Sequence, residues 1–235
     1  MNAPNLLWER CRRNAHYFIF DSQALQTKDE HDHDSPVKPF PDKAYLRVVL
    51  DCLLLTAGLI PPEQATHMRD AGLDAGLFDN SGMLAIEKSR QIMATWLVAA
   101  YCLWRAKFRS HQLVLWQSKK EDDAANVVFD KDMQNARMSF METTLPPELR
   151  SRVDTSRCNL RYPDTGSRIW GIPEGADIIR SNTPSVLVSD EAAFQPEFAS
   201  AKDAAMPAVK GGGQLVALSS AAPGAFAQWV GAEGA

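Results

Sequence analysis

From residue 83 onward, short apolar runs alternate with stretches of helical periodicity, and few architectures accept that pattern. The runs lie at 83–87 (MLAIE), 112–117 (QLVLWQ), 168–172 (RIWGI), 185–189 (SVLVS) and 214–219 (QLVALS), with helical stretches at 94–107 and 120–141. Runs that are apolar throughout are strands buried on both faces, and strands that alternate with helices imply a mostly parallel sheet covered on both sides. The predicted fold class is therefore α/β. In such sheets ligands bind beyond the carboxyl ends of the strands, so the residues that follow each run carry the functional information.

The chain has 235 residues, enough for a single large core that buries about 70–75% of the unfolded surface. Its net charge of −4 argues against a protein that coats nucleic acid through charge alone, while leaving room for a local basic patch. The four cysteines, Cys11, Cys52, Cys102 and Cys158, are widely spaced and form no CxxC pair, which points away from disulfide or zinc frameworks and towards a reducing compartment. The first residues, MNAPNLLWERCRRN, contain no long apolar segment of the secretory kind. The longest apolar stretch, around 95–104, is too short to cross a bilayer. A soluble intracellular protein without membrane association is expected.

Upstream of the alternating region, residues 3–25 carry Leu6, Leu7, Tyr17, Phe18 and Phe20 among charged residues and predict a helical segment. Residues 26–42 read as a polar, proline-containing connector. Within it, His31 and His33 with their acidic neighbours fit either a solvated loop or a metal site. Residues 43–60 predict a helix with Leu46, Leu50, Leu53 and Leu54 on one face, followed by a Gly- and Asp-rich loop through Gly82. The expected division is an N-terminal helical segment over 1–60, a core over 61–224, and a small-residue tail over 225–235 that reads as a linker to a further domain. No internal repeat is found.

Three run ends carry polar chemistry. After the first comes EKSRQIMATW (87–96), opening a helix with the spacing of a phosphate-binding loop, G-x-x-x-x-G-K-[ST], and with Thr95 in the hydroxyl position. Such a loop needs backbone N–H groups at a helix N-terminus, one cation, and one hydroxyl for magnesium. The standard pattern has glycines at 88 and 93 and lysine at 94, but this chain has Lys88, Met93 and Ala94. The loop's first position also lies beside the phosphates, so Lys88 can supply the charge from the other end; a plain strand-to-helix turn with surface charges is the competing reading. The fourth run ends in Asp190 and Glu191, suited to ordering Mg²⁺ and to orienting or deprotonating the attacking water, or else to capping a helix. The fifth ends in Ser219, Ser220 and, after two alanines, Pro223, which suits either a γ-phosphate sensor or a serine-rich turn.

Taken together, KSRQIMATW, LVSDEAAF and LSSAAP resemble the large terminase ATPase family of tailed double-stranded DNA phages, over roughly residues 38–224. That family has a variant phosphate loop containing S-R-Q, and some members carry the lysine at the loop's start, as at Lys88. The segments 116–124 (WQSKKEDDA) and 39–47 (PFPDKAYLR) are also similar, the latter where the family often binds adenine. The resemblance implies a three-layer α/β/α P-loop NTPase with an N-terminal helical extension. It implies that ATP is held by Lys88, Ser89, Arg90, Gln91, Ile92, Met93, Ala94 and Thr95, with Phe40 or Tyr45 near adenine. Mg²⁺ would lie on Thr95 and Asp190, with Glu191 activating water and Ser219 and Ser220 coupling hydrolysis to motion. Relatives carry an arginine near the position of Arg180 that reaches a neighbouring subunit's ATP, although an arginine in a polar loop fits that position too.

The implied function is an ATP-hydrolysing DNA-packaging motor in the host cytoplasm. Its implied partners are double-stranded DNA, the portal protein, the small terminase subunit and further copies of this chain in a ring. Full-length relatives continue into an RNase H-like nuclease; nothing after residue 224 here would form it, so nuclease activity is not expected. A helicase-like translocase would need a second motor domain. A nucleotide-binding but non-hydrolysing DNA- or protein-binding module on a degenerate P-loop fold is the remaining alternative, raised by the missing glycines and lysine.

Overall fold

The five apolar runs form five adjacent parallel strands. In a computed structural model that describes residues 5–29, 32, 34–78, 81–131 and 136–231, these are β3 (Met83–Glu87), β4 (Leu113–Gln117), β7 (Ser167–Ile172), β8 (Val186–Asp190) and β9 (Gln214–Ser219). Two short strands, β5 (Asp154–Ser156) and β6 (Asn159–Tyr162), extend the sheet antiparallel along one edge, giving the order β3-β9-β8-β4-β7-β6-β5. The mostly parallel α/β expectation holds. The His31/His33 pair lies outside the described residues.

Side-chain alternation divides the core into two faces. Val114, Trp116, Val186, Val188, Val216 and Leu218 point into one hydrophobic cluster, while Leu115, Leu187 and Leu215 point into another. The first face is covered by α4 (Ala94–Phe108) and the second by α7 (Asp177–Arg180) and α8 (Phe198–Lys210). Helices on both faces of a twisted parallel sheet make the three layers.

α4 is apolar nearly all round because it is enclosed nearly all round. On its outer side lie α1 (Leu6–Arg13), a π-helical turn at Tyr17–Asp21 and α2 (Ala44–Thr56): Trp8 and Phe18 pack edge-on against Phe108, and Trp104 Nε1 donates to Cys11 O at 2.9 Å. This explains the long apolar stretch in the sequence, and no helix among the described residues is long and apolar enough to cross a membrane. The predicted N-terminal helix is broken at Asn14, which is extended and whose side chain accepts the Tyr17 N–H at 3.0 Å.

Two expectations are corrected. The connector at 26–42 contains an antiparallel ribbon, β1 (Gln26–Lys28) with β2 (Val37–Pro39). The predicted helix at 120–141 is two separate helices, α5 (Glu121–Ala125) and α6 (Arg137–Thr144). Val127 and Val128 leave the helix because their side chains are drawn into the core, and Phe129 O accepts the Cys158 N–H at 2.8 Å. Tertiary burial here overrides a weak helical preference that two adjacent β-branched residues had already lowered. The remaining helices are α3 (Thr66–Asp70) and α9 (Ala225–Gly231); in α9, Phe226 meets Phe198 of α8 edge-on at 5.9 Å.

Candidate active site

The carboxyl ends of β3, β8 and β9 lie side by side, with Glu87 in register with Ser219 and Asp190 with Leu218. The residues that follow these strands open onto one cleft of about 990 Å³. Its lining includes the whole loop from Lys88 to Thr95, together with Glu191 and Ser220. Three segments far apart in the chain are thus brought to one place by strand order alone.

The loop departs from the standard pattern in sequence but not in every feature of its backbone. Met93 occupies the position of the second glycine and has φ +61, the left-handed conformation that glycine adopts without strain. Gln91 (φ +63) and Glu191 (φ +53) are also left-handed. Such conformations carry a cost of about 1–3 kcal/mol each and concentrate at functional sites. Here three of the six described non-glycine residues with positive φ border one cleft.

Glu191 is held from several directions. Lys88 Nζ donates to its Oε1 at 2.7 Å, while the Ser220 N–H donates to its Oε2 at 3.1 Å and the Ser219 hydroxyl lies 3.3 Å from the same oxygen. Burial pushes its carboxyl up, but the hydrogen bond from Lys88 and those from Ser220 and Ser219 outweigh burial and hold it below the usual glutamate value. Its neighbour behaves in the opposite way. Burial, reinforced by the Glu191 charge, pushes Asp190 up to about 6, while Arg137 and Lys88 pull it down. Thr95 Oγ1 lies 3.5 Å from Asp190 Oδ1. Two adjacent carboxyls thus have environments that push them apart, the usual sign of divided roles.

Not every predicted residue lines this cleft. Phe40 is buried in the core, edge-on to Phe20 at 5.7 Å, and the prolines on either side of it, Pro39 and Pro41, face the cleft instead. Tyr45 is exposed and braces the loop, its hydroxyl donating to Ile92 O at 3.3 Å. Arg180 is outside the cleft, on a separate depression, and pairs with Asp177 at 3.2 Å. Conversely, Lys28, Lys38, Lys119 and Arg137 line the cleft and were not singled out in the sequence. Lys119 stands two residues beyond β4, where the strand-end rule would have found it. The others come from the ribbon and from the start of α6, elements the sequence did not disclose.

No protein-family model matches the chain, and no curated protein matches it by sequence. The solved structures it is similar to include large terminases. The Thermus phage P74-26 large terminase ATPase domain aligns with a TM-score of 0.48 and 15% identity, covering 72% of this chain and 74% of that one. The HK97 bacteriophage large terminase gives 0.45 and 14%, covering 76% of this chain and 38% of that one. A large terminase from a thermophilic bacteriophage, in complex with ADP, gives 0.42 and 18%, covering 59% and 33%. The chain therefore spans about three quarters of the P74-26 domain and between 33% and 38% of the other two proteins. At these identities the likeness is one of chain course and says nothing of chemistry.

Proposed function

We propose that this chain binds ATP and hydrolyses it as the motor domain of a DNA-packaging enzyme. The observation that carries the reading is that Lys88, Thr95, Glu191 and Ser220, from three strand ends, line one cleft, with the buried Asp190 and Ser219 in contact with Thr95 and Glu191. The packaging role rests on the sequence resemblance of the three motifs.

In this reading the amides at the start of α4 and the Lys88 and Arg90 side chains bind the phosphates. Thr95 and Asp190 offer a hydroxyl and a carboxylate 3.5 Å apart, an oxygen donor pair that fits a hard divalent cation such as Mg²⁺. When bound, Mg²⁺ supplies charge neutralisation on the transferred phosphoryl group. Glu191, ionised at neutral pH, accepts a proton from the attacking water on a carboxylate oxygen. Ser219 and Ser220 orient that carboxylate and link it to β9, so a change at the phosphate is felt along the strand. Double-stranded DNA, the portal, the small terminase subunit and other copies of this chain are the partners this role requires.

A nucleotide-binding titration followed by a phosphate-release assay tests the proposal. Binding with release is the expected result. Binding without release, under conditions where copies assemble on DNA, selects the non-hydrolysing module, and absence of binding removes the nucleotide reading altogether.

A further inference from the structure

His16, Asp51 and His67 lie in three separate parts of the chain and meet away from the nucleotide cleft. His16 directly precedes the π-helical turn, Asp51 is on α2, and His67 is in the first turn of α3. His16 Nε2 lies 2.7 Å from Asp51 Oδ1, and the two imidazole rings are 4.5 Å apart, tilted by 43°. Asp51 is 1% exposed and His16 13%. One nitrogen or oxygen from each residue lies within 4.8 Å of the other two, the one such three-residue group of His, Cys, Asp and Glu among the described residues.

From this geometry we propose that the trio binds a divalent transition ion of the zinc class, fastening the N-terminal segment to α2 and α3. Two imidazoles and one carboxylate are the donor set that zinc takes in three-ligand sites, with a fourth position left for water. Bond lengths near 2.0 Å at tetrahedral angles need donors roughly 3.3 Å apart. The His16–Asp51 contact must therefore open by about half an ångström and His67 must move inwards, both within reach of side-chain adjustment.

Asp51 is prepared for this in a way that an ordinary helix cap is not. Its Oδ2 is pinned by the His67 and Met68 N–H groups at 2.9 and 3.1 Å, which fixes the carboxylate and leaves Oδ1 to the His16 ring. Hydrogen bonds of this kind hold a ligating carboxylate in a fixed orientation. His16 Nδ1 is buried with no partner among the described residues, which satisfy only one side of that ring. Arg47, a cation whose charge is felt at His67, is paired with Asp42 and Asp21 at 2.7 and 2.5 Å, and these two carboxylates offset its repulsion of an incoming ion.

The test uses the whole chain, stripped with chelator and free of nucleotide and Mg²⁺, titrated with Co²⁺ and Zn²⁺. One Co²⁺ per chain with the visible bands of a tetrahedral ion is expected, and Zn²⁺ should raise Tm. His67→Ala keeps the backbone N–H that Asp51 accepts, so α3 should remain capped. This variant and His16→Ala should each weaken binding by more than about 100-fold, beyond what loss of an outer partner produces. Histidine-ring NMR of the unmodified chain gives the same answer without substitution: Zn²⁺ should move the His16 and His67 signals and leave His111 in place. Absence of stoichiometric binding overturns the proposal. So does binding that survives both variants, whether at His31 and His33 or at Asp190, and so do unmoved His16 and His67 signals.

Discussion

Lys88 and Glu191 are tied to each other, and the chemistry proposed for each requires it to be released. A glutamate that accepts from one lysine and two serines is well oriented, yet part of its basicity is spent. A phosphate group entering beside Lys88 competes for the same ammonium and returns the lone pair of Oε1. Two outcomes follow at single residues. Lys88→Ala should abolish or greatly weaken ATP binding, with Arg90→Ala milder, because Lys88 provides the charge that Ala94 cannot; unchanged affinity by titration calorimetry would end the displaced-lysine argument. Glu191→Gln should keep Mg-ATP affinity and lose roughly 10²–10⁴ in turnover, the usual contribution of a positioned base. Phosphate release at the parent rate in that variant would leave Glu191 with a purely structural role, tying the end of β8 to the end of β9.

Elements with strong periodicity were legible in the sequence and those held by tertiary contacts were not. β4, β8 and β9 are apolar throughout because both faces are covered, and the chain announces them. The β5–β6 hairpin is short and polar, and its turn uses Cys158 at φ +56 where a glycine or asparagine would have given the signal. Strand ends likewise led to Lys88, Asp190, Glu191, Ser219 and Ser220, whereas Phe40 was misread because an aromatic in a connector looks alike whether it faces a ligand or the core. One buried ion pair was also illegible: Lys107 of α4 donates to Glu142 of α6 at 2.6 Å and to Ser151 at 2.9 Å, with the Tyr162 hydroxyl of β6 on the other carboxylate oxygen at 3.2 Å. Burial of Lys107 is complete, and its desolvation pulls the ammonium pKa down. Glu142→Ala strands that charge and should cost about 3–5 kcal/mol in urea unfolding. Replacing both partners with apolar residues of similar volume, Lys107→Met with Glu142→Leu, should cost far less, and equal losses in the two variants would contradict the assigned penalty.

At the scale of the whole molecule, the cleft holds the groups proposed for binding and for water activation, while Arg180 stands apart from it, exposed and paired only with Asp177 among the described residues. An arginine in that position does not serve its own cleft as this chain is folded, and the proposed motor role assigns it to the cleft of an adjacent copy in a ring. An arginine supplied from a neighbour can contribute on the order of 10³–10⁵ in rate, because it neutralises charge that develops only in the transition state. An isolated monomer should therefore bind ATP and turn it over slowly, with specific activity rising as protein concentration drives assembly. The decisive measurement mixes two inactive variants, Arg180→Ala and Glu191→Gln. In a mixed ring some interfaces join an intact Glu191 cleft to an intact Arg180 from the next copy, so phosphate release should partly return. If sedimentation shows assembly and mixing still restores nothing, or if Arg180→Ala alone is fully active, Arg180 is a surface arginine and the cleft completes its chemistry without a neighbour.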